Sequence, residues 1–171
     1  AQAAMSGAVD TNEAGIRSMK NVVLTYGTFD LFHIGHLNLL QRLKALGDYL
    51  VVGVSTDEFN ATKGKQTIVP FEDRQRIVQN IKCVDLAIAE SHWEQKVGDI
   101  AKYGVSTFGM GADWAGRFDE LKANCNVVYL PRTEGISSTS MKKLLRVLDK
   151  EHVDDLRQAL NVISAIIDRF D

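Results

Sequence analysis

Cysteine is scarce in this chain of 171 residues. Cys83 and Cys125 stand far apart, have no CxxC partner, and sit inside the apolar runs IKCVDLAI and NCNVVYL. They read as buried thiols rather than as a disulfide or a metal pair. Long apolar runs are missing as well. None approaches the roughly 18 residues of a membrane-spanning helix, and the N-terminal stretch lacks the basic-then-apolar order of a secretory signal. These absences predict no membrane partner and a cytoplasmic setting. An excess of positive charge is also absent: 20 Lys and Arg against 22 Asp and Glu give a net charge of −2. No global basic field is available for a nucleic acid, so an anionic ligand would have to be held by a local cluster. With 45% hydrophobic and 25% charged residues, the length supports one well-filled domain rather than two.

What is present is alternation. Asn21–Gly27, Asp48–Ser55, Val84–Glu90, Val105–Gly111 and Asn126–Pro131 are short, β-branched, nearly continuous apolar runs, the pattern of strands buried on both faces. Between them, helical spacing runs over Ile34–Leu46, Phe71–Ile81, Glu94–Tyr103 and a short piece over Phe118–Ala123. The repeated β-α order predicts an α/β fold, a parallel sheet with helices on both faces. In such sheets ligands bind in the crevice beyond the carboxyl ends of the strands.

Two dense motifs fall at those ends. In TYGTFDLFHIGH, Thr25 to His36, the first strand closes, Gly27 permits a close backbone approach, and Asp30 and His33 lie in the turn before a helix that His36 begins. His33 and His36, three apart, share one face of the helix start beside its unpaired N–H groups and the positive end of its dipole, an arrangement suited to a phosphate. The alternative of ordinary capping histidines stands beside this, while zinc is poorly supported by Asp30, His33 and His36 without a cysteine or second acid. In LPRTEGISSTSMKKLLR, Leu130 to Arg146, a strand ends at Pro131, a polar loop contains Gly135, and a basic helix starts near Ser138. Ser137, Ser138 or Thr139 can cap that helix, and Arg132 adds a cation, so this too reads as an anion cradle.

GTFDLFHIGH together with RTEGISST resembles the cytidylyltransferase family of the HxGH nucleotidyltransferases, and DYLVVGVSTDEFN, WEQK and DW followed by FD extend the match over roughly Met19 to Arg146. The resemblance implies a Rossmann-like fold, a homodimer and a magnesium cofactor. It further implies CTP and a small phospho-alcohol as partners: CTP and sn-glycerol 3-phosphate would give CDP-glycerol and pyrophosphate, for wall or capsule polymer synthesis. Another phospho-alcohol (phosphocholine, phosphoethanolamine, ribitol phosphate) or a non-catalytic nucleotide-sensing module remains the alternative.

Carried over residue by residue, the resemblance implies catalytic roles for His33, His36, Lys63 and Arg132. Gly27, Thr28, Phe29, Asp30, Lys65, Thr133, Gly135, Ile136, Ser137, Ser138 and Thr139 would contact the nucleotide, with Asp30 holding the magnesium. Arg74, Lys82, Asp85, Trp93, Asp113 and Trp114 would face the acceptor. Lys63 and Lys65 lie in a glycine-containing loop suited to closing over the reacting phosphates. Two positions depart from the family pattern: Lys82 replaces an arginine, keeping the charge but not the bidentate fork, and Ala112 replaces an acid.

Three segments are expected: a linker or expression remnant over 1–18, the cytidylyltransferase domain over 19–146, and a helical extension over 147–171. Leu156, Leu160, Ile163, Ile167 and Phe170 form an apolar stripe in that extension. Packing on the domain is its usual meaning, with a dimer seam or a connection to a further domain as the other options.

Overall fold

Val22, Leu24 and Tyr26 point to one side of the first strand and Val23 and Thr25 to the other, and all five are buried. A strand with both faces covered has to be apolar throughout, which is why this segment lacks the polar alternation of a surface strand. The computed structural model describes the backbone of residues 21–167, and their side chains apart from those of 147–151 and 164–167. The segment 1–18, expected as a linker, lies outside the described residues.

Five strands, β1 (Val22–Gly27), β2 (Tyr49–Ser55), β3 (Leu86–Glu90), β4 (Val105–Gly111) and β5 (Asn126–Leu130), form one sheet in the order β3-β2-β1-β4-β5. Every pairing is parallel, with Thr25 opposite Val52 and Met110 opposite Tyr129. The order reverses between β1 and β4, and the carboxyl ends of those two strands flank the switch point where Rossmann-like folds place ligands.

Helices cover both faces. α1 (Ile34–Lys44) and α3 (Phe71–Gln79) bury Leu40, Leu43 and Val78 against Val23, Leu50, Val52 and Val54. On the other face, α4 (Gln95–Tyr103) and a 3-10 turn at Asp119–Ala123 bury Ile100, Tyr103 and Leu121 against Val22, Leu24, Val51 and Phe108. Each fully buried Leu or Val contributes about 1.5–3 kcal/mol relative to exposure. One helix was not anticipated: α2 (Asp57–Thr62) follows β2 directly, with the Thr56 hydroxyl accepting the Phe59 N–H at 3.1 Å and two acids in its first turn. Cys83 and Cys125 are free and partly buried.

The chain divides into two compact units, one ending at Glu134 and one beginning at Gly135. In the second, α5 (Ser138–Ile167) runs without a break through position 146, where the sequence suggested a boundary. Leu156, Leu160 and Ile163 of the apolar stripe are exposed. The side chains of Ile167 and Phe170 lie outside the described residues.

Candidate active site

Beyond Gly27 the chain turns sharply. Phe29 (φ 53°) and Leu31 (φ 49°) adopt left-handed backbone, unfavourable for residues with a Cβ and stable only when the surroundings enforce it. The ring of Phe29 folds over Gly27, where a Cβ would meet it at 2.8 Å. The Asp30 carboxylate, buried in the turn, accepts the N–H groups of Leu31 at 3.1 Å, Ile68 at 2.8 Å and Val69 at 2.9 Å. Arg74 is 1% exposed and donates to the carbonyls of Thr28 (2.6 Å), Ser55 (2.8 Å) and Val69 (2.9 Å) and to Asp57 Oδ1 (2.6 Å). The Thr28 hydroxyl meets Asn60 Oδ1 at 3.0 Å, and Asn60 in turn donates to the Ser55 carbonyl.

These contacts bear on two expectations. Arg74 was expected to face the acceptor; its guanidinium ties the end of β1, the end of β2 and the 68–69 strap together. Asp30 was expected to hold magnesium; both of its oxygens accept backbone N–H groups, which makes it a poor fit as the main ligand of a metal. Among the described residues no group of three His, Cys, Asp or Glu side chains is arranged to hold a metal ion.

The clamped turn delivers the two histidines. His33 is the N-cap of α1, its Nδ1 accepting the Gly35 N–H at 3.0 Å, and His36 Nδ1 accepts the His33 N–H at 3.3 Å. The rings stack with centroids 3.9 Å apart. With each Nδ1 an acceptor, the proton of the neutral ring is assigned to Nε2, so both imidazoles present an Nε2–H. Burial lowers the pKa of His36 to about 4, helped by neighbouring His33. Burial, then Arg132, also lowers that of His33. Near neutral pH the pair is uncharged and offers two N–H donors. The capping reading and the phosphate reading are therefore compatible, because the cap uses one nitrogen of each ring and leaves the other.

Lys63 and Lys96 approach each other beside the ends of β2 and β3. Lys63 Nζ lies 3.0 Å from Ser55 Oγ and 4.0 Å from the centre of the Phe59 ring, and its burial lowers its pKa to about 8. Lys96, on α4, bonds Glu90 Oε1 at 2.6 Å and lies over the rings of Tyr26 (4.5 Å), Trp93 (4.8 Å) and Phe118 (5.7 Å). Lys65 Nζ is 5.5 Å from the Trp114 ring centre, which joins the loop after α2 to the short turn after β4. Trp93 and Trp114 are 6.3 Å apart and, with Lys96, Arg117 and Phe118, line a cleft of about 400 Å³. Lys96 and Glu90 were missed as site residues. WEQK marks the lysine in sequence, and Glu90 has only its place at the carboxyl end of a strand as a signal.

Arg132 and Thr133 follow β5. Arg132 Nη1 is 3.9 Å from the Asp113 carboxylate, and α1 grips the segment through Arg42 to the Pro131 carbonyl (2.8 Å) and Asn38 to the Thr133 hydroxyl (3.2 Å). Gly135, Ile136, Ser137, Ser138 and Thr139 belong to the second unit. There Gly135 has a φ of 80°, and Ser137 caps α5, its Oγ accepting the Ser140 N–H at 3.0 Å and its carbonyl the Met141 N–H at 3.1 Å. Lys82 and Asp85 do not join His33 and His36 within one chain. They connect α3 to the amino end of β3, at the opposite end of the strands, where Asp85 Oδ2 accepts the Leu50 N–H at 2.7 Å and pairs with Lys44.

A parallel sheet with a histidine-capped helix start at its switch point and cations around it has a Rossmann-like layout. Residues 24–161 match the cytidylyltransferase-like family, and the chain belongs to it. The chain is 56% identical over 121 residues to the glycerol-3-phosphate cytidylyltransferase of Bacillus spizizenii, an alignment covering 71% of this chain and 94% of that one. To the protein of the same name from Staphylococcus aureus it is 51% identical over 123 residues, 72% of this chain and 93% of the other. The ethanolamine-phosphate cytidylyltransferase of Mus musculus is more distant, 29% identical over 132 residues, with 74% of this chain and 33% of that one covered. Among solved structures, a lipopolysaccharide core biosynthesis protein from Thermoplasma volcanium is similar with a TM-score of 0.57 and 26% identity, over 67% of this chain and 98% of that one.

Proposed function

We propose that this protein transfers CMP from CTP to sn-glycerol 3-phosphate, giving CDP-glycerol and pyrophosphate. The observation that carries the reading is the paired histidine cap, which leaves two Nε2–H donors at the start of α1. The similarity to glycerol-3-phosphate cytidylyltransferases over more than nine-tenths of their length supports it. A phosphate oxygen of the acceptor bonds to the α-phosphorus of CTP while the bond from that phosphorus to the bridging oxygen of pyrophosphate breaks in line. The attacking oxygen is already ionised near neutral pH, so no protein nucleophile or strong base is needed. Catalysis then rests on alignment and on donors aimed where charge develops.

In this reading His33 and His36 donate to the triphosphate, Arg132 and Thr133 hold the departing pyrophosphate, and Lys63 and Lys65 draw two anionic substrates together. Lys96, with Trp93 and Trp114, shapes the acceptor side. Magnesium would arrive on the nucleotide rather than rest on Asp30. A homodimer, a cytoplasmic setting and a role in wall or capsule polymer synthesis belong to the same reading and rest on the resemblance. Small anionic partners rather than nucleic acid accord with a net charge of −2, and among the described residues no helix is long and apolar enough to cross a membrane.

A phosphoethanolamine acceptor is disfavoured by chemistry: the one positive charge that Lys63 and Lys96 keep over Glu90 would oppose its ammonium group, whereas the hydroxyls of glycerol carry no charge. Pyrophosphate release from CTP with magnesium, measured across glycerol 3-phosphate, phosphoethanolamine, phosphocholine and ribitol phosphate, tests the proposal. Turnover with glycerol 3-phosphate above the others is expected. Tight CTP binding with no pyrophosphate from any acceptor would turn the reading into a nucleotide sensor.

A further inference from the structure

We propose that Glu90 is a positioning residue that anchors Lys96 permanently and parks Lys63 for release to the substrate phosphates. The inference deepens the reading above and rests on it.

Glu90 closes β3, is 3% exposed, and among the described residues is the one carboxylate that both lysines face. The two are held unequally. Lys96 bonds Oε1 at 2.6 Å and lies against three aromatic rings, so it neutralises the buried carboxylate and is held on it. Lys63 reaches the other oxygen, Oε2, only at 3.9 Å, and its bond is to Ser55 Oγ, whose hydroxyl is itself bonded to Oε2. One carboxylate between two ammonium groups leaves one positive charge over. Isolated buried charges are costly, and that cost falls on the loosely held partner. An arriving phosphate relieves it by taking Lys63 from Ser55. Lys63 lies just past the end of α2, next to Gly64 with a φ of 67° and open space around its α-carbon, so the loop can follow the side chain.

The charged groups facing Lys63 are Glu90 from β3, Lys96 from α4, Lys65 from its own loop and Arg74 from α3. Only Glu90 favours the ammonium form. Removing that charge while keeping the shape should make Lys63 lose its proton at lower pH.

Glu90→Gln is the direct test. The expected result is a cooperatively folded protein whose kcat falls about tenfold or more, with KM for CTP within about threefold. The alkaline limb of its rate profile should also move to lower pH. Glu90→Asp, which keeps the charge, should restore the limb in part. A merely structural role predicts a lower melting temperature with an unchanged alkaline limb, and that result would overturn the proposal. Acetic anhydride labelling of Lys63 across pH, read by mass spectrometry, makes the test independent of turnover. Faster labelling near pH 7.5 in Glu90→Gln supports the parked lysine even if the acceptor has been misidentified. Equal labelling in the two proteins contradicts it. If Glu90→Gln does not fold, Ser55→Ala, which removes only the link between Lys63 and Glu90, should shift labelling in the same direction by a smaller amount; no shift there would refute the proposal.

Discussion

The imidazoles of His33 and His36 stack 3.9 Å apart, each with Nδ1 accepting a backbone N–H, so that helix capping and ligand binding use different nitrogens of the same rings. This dual use sets the first prediction. His36→Ala removes one donor and one half of the capping box. The lost donor should lower kcat by about 10² to 10³, and the lost cap should cost about 1 kcal/mol of stability. Steady-state kinetics together with urea unfolding separate the two effects. An unchanged kcat with the stability loss alone would make His36 a cap and nothing more.

A second prediction concerns pH. His36 is lowered from the ordinary 6.5 to about 4, and His33 is lowered as well. Between those values the unfolded chain binds protons that the native state does not, so stability is complete above about pH 6.5 and falls as pH drops toward 4. Thermal melts from pH 7.5 to 4 should show this slope, shallower in His36→Gln. The His36 imidazole resonances of the native protein should not titrate between pH 7.5 and 6 in NMR spectra. An imidazole that protonates near 6.5 would contradict a neutral pair.

Arg74 supplies a third. Its guanidinium joins three backbone segments and Asp57, so Arg74→Ala should remove about 3 kcal/mol or more, since charged hydrogen bonds contribute about 1.5–3 kcal/mol each and the buried carbonyls are left unpaired. Denaturant unfolding gives the stability. A folded Arg74→Ala protein with normal stability and a raised KM for the acceptor alone would restore the substrate-binding role that the sequence suggested.

A fourth lies with Lys96. Lys96→Met keeps the side-chain volume and its aromatic contacts but removes the charge, and it should raise KM for glycerol 3-phosphate by about tenfold or more while changing KM for CTP little. It should also narrow the gap between glycerol 3-phosphate and phosphoethanolamine. Equal losses toward both acceptors would remove Lys96 from acceptor selection.

The sequence made the sheet legible because buried parallel strands have to be apolar along their whole length, and β1, β2 and β4 announce themselves that way. The two dense motifs stood out because their histidines, glycines and hydroxyls are adjacent in the chain. What escaped was long-range. α2 hid behind a polar loop composition, since its helix is set by the Thr56 cap rather than by an apolar stripe. Arg74 looked like a ligand residue because nothing local shows that a guanidinium will find carbonyls at Thr28, Ser55 and Val69. Glu90 gathers Ser55, Lys63 and Lys96 from three separate segments, a convergence visible only once β2, β3 and α4 are packed. Lys82 and Asp85 came from the family resemblance rather than from a local motif, and within one chain they lie at the amino end of β3, away from His33 and His36.

The central claim is a group transfer, and ³¹P NMR of the protein with CTP, magnesium and sn-glycerol 3-phosphate tests it most directly. The account predicts that the CTP resonances decay with stoichiometric appearance of pyrophosphate and of the coupled pair of a CDP-alcohol. CTP that stays intact, or hydrolyses to CMP and pyrophosphate without consuming glycerol 3-phosphate, would contradict it.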